Sequence, residues 1–95
     1  NSKVPDIIRE LKDFGIESDI YDPNALQEEV TEEYGLELAT LKQIQKRKYG
    51  LIVLAVSHKE FRSFTAMQLN DLLGDKAVFI DVKSFMDRSV VNDLK

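Results

Sequence analysis

The sequence predicts a three-layer α/β domain, with a mostly parallel sheet flanked by helices. Three observations carry this. Six apolar residues, Leu51 to Val56, run without alternation and stop at Ser57, His58 and Lys59. Such a run suits a strand covered on both faces, as in a parallel sheet with helices on either side. A second buried strand is expected over Ala77 to Val82, ending at Asp81-Val82-Lys83. Helical stripes alternate with extended segments along the rest of the chain, and that alternation implies crossover connections and parallel strands.

The elements follow in order. Val4, Ile7, Ile8, Leu11 and Phe14 recur at helical spacing. Ser2 can cap this helix, Pro5 fits its first turn, and Gly15 is a natural stop. Ile16 to Asp22 alternates as a strand would and ends at Pro23. Asn24 and Gln27 have capping-box spacing before Leu26, Val30 and Tyr34, with Gly35 as the stop. Leu36 to Leu38 is expected as a very short strand. Thr40 and Gln43 offer a second capping box for a helix carrying Leu41 and Ile44, and Tyr49-Gly50 turns into the central strand. A helical turn is expected at Phe61 to Phe64. Thr65 and Gln68 form a third capping box, Leu69, Leu72 and Leu73 give that helix its core face, and Gly74 closes it. After the strand at 77–82, Met86 to Leu94 is expected as a short docked helix or coil. The result is a Rossmann-like order, and residues 1–95 make one small domain with a thin stability margin. The chain begins with a helix, whereas a doubly wound half normally begins with a strand. It therefore looks cut at its amino end, with a first strand missing.

Composition narrows the function. Apolar residues are 43% of the chain and charged residues 32%, as in ordinary globular proteins. No apolar run approaches membrane-spanning length, so no membrane partner is expected. The absence of cysteine removes disulfides, thiolate metal sites and cysteine nucleophiles, and fits a cytoplasmic protein. A formal net charge of −4 makes nucleic acid a poor partner, because phosphate backbones are held by many cations. Lys42, Lys46, Arg47 and Lys48 read as cations near the negative end of a helix.

Catalytic signals are weak. His58 is the single histidine, which excludes a multi-histidine metal site. The four glycines, Gly15, Gly35, Gly50 and Gly74, stand singly, so neither a dinucleotide fingerprint nor a P-loop is present. Glu28, Glu29, Glu32 and Glu33 are hard oxygen ligands by chemistry, yet lack calcium-loop spacing and read as a solvated helix face. No metal is expected. Three strand ends remain: Asp22, Ser57 with His58 and Lys59, and Asp81 with Lys83. In a parallel sheet all three share the edge where open α/β folds bind ligands. A lysine there supplies a point charge for phosphate or carboxylate. Asp22 either meets a ligand or starts an Asp-Pro turn.

Four segments occur in register: Asn1 to Leu11, Tyr21-Asp22-Pro23, Leu54-Ala55-Val56-Ser57-His58-Lys59-Glu60-Phe61, and Phe79-Ile80-Asp81-Val82-Lys83. Together they resemble the C-terminal, UDP-binding domain of the UDP-glucose/GDP-mannose dehydrogenase family. The forms around His58 and Lys83 look most similar to the branch that oxidises UDP-N-acetylhexosamines for capsule and O-antigen polysaccharides. The resemblance implies an NAD-dependent oxidoreductase that converts a sugar C6 alcohol to a carboxylate, with the C-terminal domain closing over the UDP-sugar. It implies substrate contacts from Lys83 on the last strand and from Ser2 at the first helix start, where a helix end suits phosphate. Ser57 and His58 complete the expected nucleotide-binding set; no catalytic residue is assigned within the chain. Catalytic cysteine, NAD and dimerising helices belong to N-terminal and central domains, the implied partners, so the chain alone is expected to be inactive. The family's preceding strand, with a lysine and an arginine of the site, is also absent. The chain is therefore expected to bind nucleotide poorly and to leave a slot between the strands at Ile20 and Val53, closed either by a rearranged sheet or by a homodimer. Ser84 stands where the family often has glycine. The reading from another class is a Rossmann-like structural or interaction module with no ligand of its own.

Overall fold

A computed structural model describes residues 4–55 and 58–94. It divides into two compact units, Asn1–Leu41 and Lys42–Lys95.

The first unit begins with α1, Val4–Asp13, which has Pro5 in its first turn, where no intrahelical donor is lost. Gly15 takes a φ of 80° and closes a Schellman motif. The Ile16 amide donates to Leu11 at 2.9 Å and the Gly15 amide to Lys12 at 2.9 Å. The expected strand at Ile16–Asp22 does not form, nor does the one at Leu36–Leu38. The Ala39 amide, just past the second segment, donates to the Ile20 carbonyl at 2.7 Å. Alternation gave the strand pattern, but a strand needs a continuous ladder of such bonds, and these residues stay outside any strand.

α2 spans Gln27–Tyr34 and ends on Gly35 with φ 67°. Its expected capping box is absent: the cap position is Leu26, with no side-chain cap. Gln27 works elsewhere. Its amide nitrogen donates to Thr31 Oγ1 at 2.7 Å and to the Leu36 carbonyl at 3.0 Å. Its oxygen accepts from the Leu38 amide at 2.6 Å. One glutamine thus satisfies the backbone of the segment that the sequence read as a strand.

The second unit holds α3 (Leu41–Gln45), β1 (Tyr49–Leu54), a 3-10 helix (Lys59–Ser63), α4 (Ala66–Leu72), β2 (Leu73–Asp81) and α5 (Arg88–Asn92). β1 and β2 pair in parallel, with Leu51 opposite Val78, Val53 opposite Ile80 and Leu54 opposite Asp81. This is the parallel α/β arrangement of a Rossmann-like fold, here with two strands among the described residues. β2 starts earlier than the strand expected at 77–82. Tyr49 pairs with Leu73, and the register shifts before Leu51. Lys76, at φ 57°, lies within that irregular start. Gly74 consequently belongs to the strand and does not close the helix; Leu73 takes the C-cap position.

The capping box of α4 forms as its spacing predicts. Gln68 N donates to Thr65 Oγ1 at 3.2 Å, and Thr65 N donates to Gln68 Oε1 at 2.8 Å. The Lys48 ammonium donates to the Asp71 carbonyl in the last turn of α4. One cation of the basic cluster thus meets a helix carboxyl end, though not the end of its own helix. Ile44, Phe61, Leu69, Leu72, Leu73 and Met86 are the buried apolar core. β2 is less covered than a buried strand would be: Val78 and Ile80 are 52% and 44% exposed. They occupy alternate positions and so share one face of the strand.

Leu73, 2% exposed, is the most deeply buried large side chain. Leu73→Ala should lower unfolding free energy by about 2–5 kcal/mol, and Thr65→Ala by about 1 kcal/mol, in urea titrations. A Leu73→Ala loss no larger than the Thr65→Ala loss would contradict this core assignment.

Candidate functional site at the carboxyl edge of the sheet

Parallel pairing decides where the chemistry collects. Leu54 sits opposite Asp81, and the Val82 amide donates to the Leu54 carbonyl at 3.0 Å. The chain leaving β1 toward His58 and the chain leaving β2 toward Lys83 therefore emerge from the same edge. Ser2 and Ser57 lie outside the described residues. Asp22 belongs to the first unit, and its carboxylate accepts the Asn24 amide at 2.9 Å. This is the Asx turn that an Asp-Pro pair favours, the structural alternative for that residue.

His58 holds the N-cap position of the 3-10 helix in extended conformation. Its ring is half-buried and lies 5.7 Å from the Phe61 ring. Phe61, 7% exposed, also meets Phe64 at 6.1 Å. The histidine is seated on an aromatic base at the start of the loop that follows β1.

Lys83 is exposed in the turn after β2. Asp81 builds that turn. Its carbonyl accepts the Ser84 amide at 3.2 Å, closing Asp81–Ser84, and its Oδ2 accepts the Met86 amide at 2.8 Å. Ser84 takes a φ of 52°. Met86 turns back into the core. Asp81 Oδ1 is buried with no hydrogen-bond partner among the described residues. A second tie comes from outside the turn, where the Arg62 guanidinium carbon stands 4.2 Å from the centroid of the Phe85 ring. Arg62 is on the 3-10 helix and Phe85 on the loop bearing Lys83, so this cation–π contact joins the two loops of the edge.

The sequence pointed to Lys83 and His58 and missed Arg62, Phe85 and the structural work of Asp81. Local spacing carried no sign of them, because positions 62 and 85 become neighbours only once the strands pair. Among the described residues no group of histidine, aspartate and glutamate is arranged to hold a metal ion. What the edge offers is an exposed ammonium at Lys83, a point charge of the kind that suits an anion, with the Arg62 guanidinium over the neighbouring Phe85 ring.

Comparison with known proteins bears on which anion. The family model described as UDP-glucose/GDP-mannose dehydrogenase family, UDP binding domain, matches residues 1–88. The chain belongs to that family. A UDP-N-acetyl-D-glucosamine 6-dehydrogenase of Pseudomonas aeruginosa is 34% identical over 87 residues, covering 92% of this chain and 20% of the relative. One from Salmonella typhi is 30% identical over 83 residues, covering 87% and 19%. Protein CapL of Staphylococcus aureus is 28% identical over 92 residues, covering 97% and 21%. The chain thus spans about a fifth of the length of these curated relatives. No solved structure matches it significantly. Among the described residues of this UDP-binding domain, no helix is long and apolar enough to cross a membrane.

If Asp81 holds the Lys83 loop, Asp81→Ala should raise the hydrogen-exchange rate of the Met86 amide about fivefold or more, the loss of one bond to a charged acceptor. Asp81→Asn, which keeps an accepting oxygen, should recover part of the protection. Equal Met86 protection in the wild type and the alanine variant would refute this role.

Proposed function

We propose that this chain is the UDP-sugar-binding lobe, residues 1–95 as one domain, of an NAD-dependent nucleotide-sugar 6-dehydrogenase. The whole enzyme would oxidise the C6 alcohol of a UDP-hexose to the carboxylate, in the cytoplasm, for capsule or O-antigen polysaccharide. The observation that carries the proposal is the family match over residues 1–88 together with a cationic edge at the carboxyl ends of two parallel strands. The named activity of two relatives, UDP-N-acetyl-D-glucosamine 6-dehydrogenase, supports a UDP-sugar as substrate.

The chain's own part is positional. Lys83 places a fixed positive charge for the diphosphate, with Ser2, Ser57 and His58 as the remaining nucleotide contacts. Closure of the lobe would exclude water from the sugar. NAD and the catalytic cysteine would be supplied by the N-terminal and central domains, since the chain contains neither a dinucleotide fingerprint nor a cysteine. A second copy of the chain is a further partner to be sought by sedimentation.

Titration with UDP to millimolar concentration, followed by amide NMR, tests the reading. Shifts should concentrate at His58, Lys83 and their neighbours. Lys83→Ala should weaken UDP binding about three- to tenfold, with a smaller difference at high salt. An absence of shifts at millimolar UDP would favour the ligand-free interaction module instead.

A further inference from the structure

We propose that Arg62 is a positioning residue for Lys83, acting through the ring of Phe85. The proposal rests on the reading of Lys83 as the diphosphate contact. Lys83 stands exposed on the six-residue loop 82–87 between β2 and α5, and a flexible ammonium held on a loose loop loses much of its binding advantage to conformational entropy. The structure holds this loop from two sides. On the inner side, Asp81 Oδ2 binds the Met86 amide at 2.8 Å and Met86 is 8% exposed. From the 3-10 helix, the Arg62 guanidinium lies over the Phe85 ring, 4.2 Å from its centroid.

Phe85 is two residues from Lys83. Arg62 is carried on the 3-10 helix, whose Phe61 is buried in the core. The guanidinium is therefore carried by a helix anchored in the core and lies over the ring of the loop that bears Lys83. A planar cation over a ring face suits this role, and a lysine at position 62 would stack less well. The side chain used in this way is turned toward the ring, so its effect on an anion passes through Lys83.

The test uses Arg62→Leu, Phe85→Leu and Phe85→Tyr, alone and with Lys83→Ala, in the full chain. UDP affinity is read by NMR titration, and the loop by Lys83 and Phe85 amide heteronuclear NOEs. Arg62→Leu and Phe85→Leu should each weaken UDP binding about two- to fivefold and lower both NOEs. Phe85→Tyr keeps the ring face and should behave as wild type. A merely space-filling role predicts instead that Leu and Tyr at position 85 are equivalent, and that result overturns the proposal. In the Lys83→Ala background, Arg62→Leu should cause no further loss. Additive losses would show that Arg62 meets the anion itself, which also overturns it. Unchanged affinity in Lys83→Ala alone would overturn the nucleotide reading. The NOEs then decide by themselves whether Arg62 holds the loop: unaltered NOEs in Arg62→Leu sink the positioning role as well.

Discussion

The parallel register of β1 and β2 is the constraint on which the rest of the edge depends. Leu54 opposite Asp81 means that both chains run out of the sheet on the same side. An antiparallel pair would send His58 and Lys83 to opposite ends and leave no shared site. Parallel strands need a crossover of a dozen or more residues. The 3-10 helix and α4 supply it, and on the return they contribute half of the buried core, through Phe61, Leu69 and Leu72. Packing and site geometry therefore come from one connection. The helix that covers the sheet begins with the loop that carries the stacked arginine.

A cationic edge is useful only as far as its charges stay in place. Here the stabilising contacts are small and local: a backbone turn, a carboxylate accepting one amide, a methionine in the core and a guanidinium over a ring. None of these is an ion pair that would neutralise Lys83. The chain thus secures the loop without consuming the charge of Lys83.

Much of this was legible in the sequence. The apolar run at Leu51 marked β1 because a covered parallel strand has no polar face to show. Thr65 and Gln68 marked the start of α4 because a capping box is a local device, complete within four residues. Gly15 and Gly35 marked helix ends because left-handed backbone belongs to glycine. The errors had the opposite character. Ile16–Asp22 carried the right alternation, but pairing is a property of two segments, and no strand ladder forms there. Gln27 had the spacing of a capping residue and instead binds Leu36 and Leu38, which lie downstream of the helix. Arg62 and Phe85 are 23 positions apart and had no local signature at all. The shared edge of Lys83 and His58 was readable because it needs only the rule that parallel strands end together. What pins Lys83 there was not, because it depends on tertiary neighbours.

Ser84 shows how a departure from the family pattern is felt by the backbone. The position takes a φ of 52°, a conformation that glycine adopts freely and an L-residue adopts at a cost of roughly 1 kcal/mol. Serine brings a compensation, because its unfolded chain has fewer conformations to surrender on folding. A glycine there would ease the native turn and enlarge the ensemble from which it must be recruited. The residue beside Lys83 thus exchanges local comfort for a bend that is narrower in its choices.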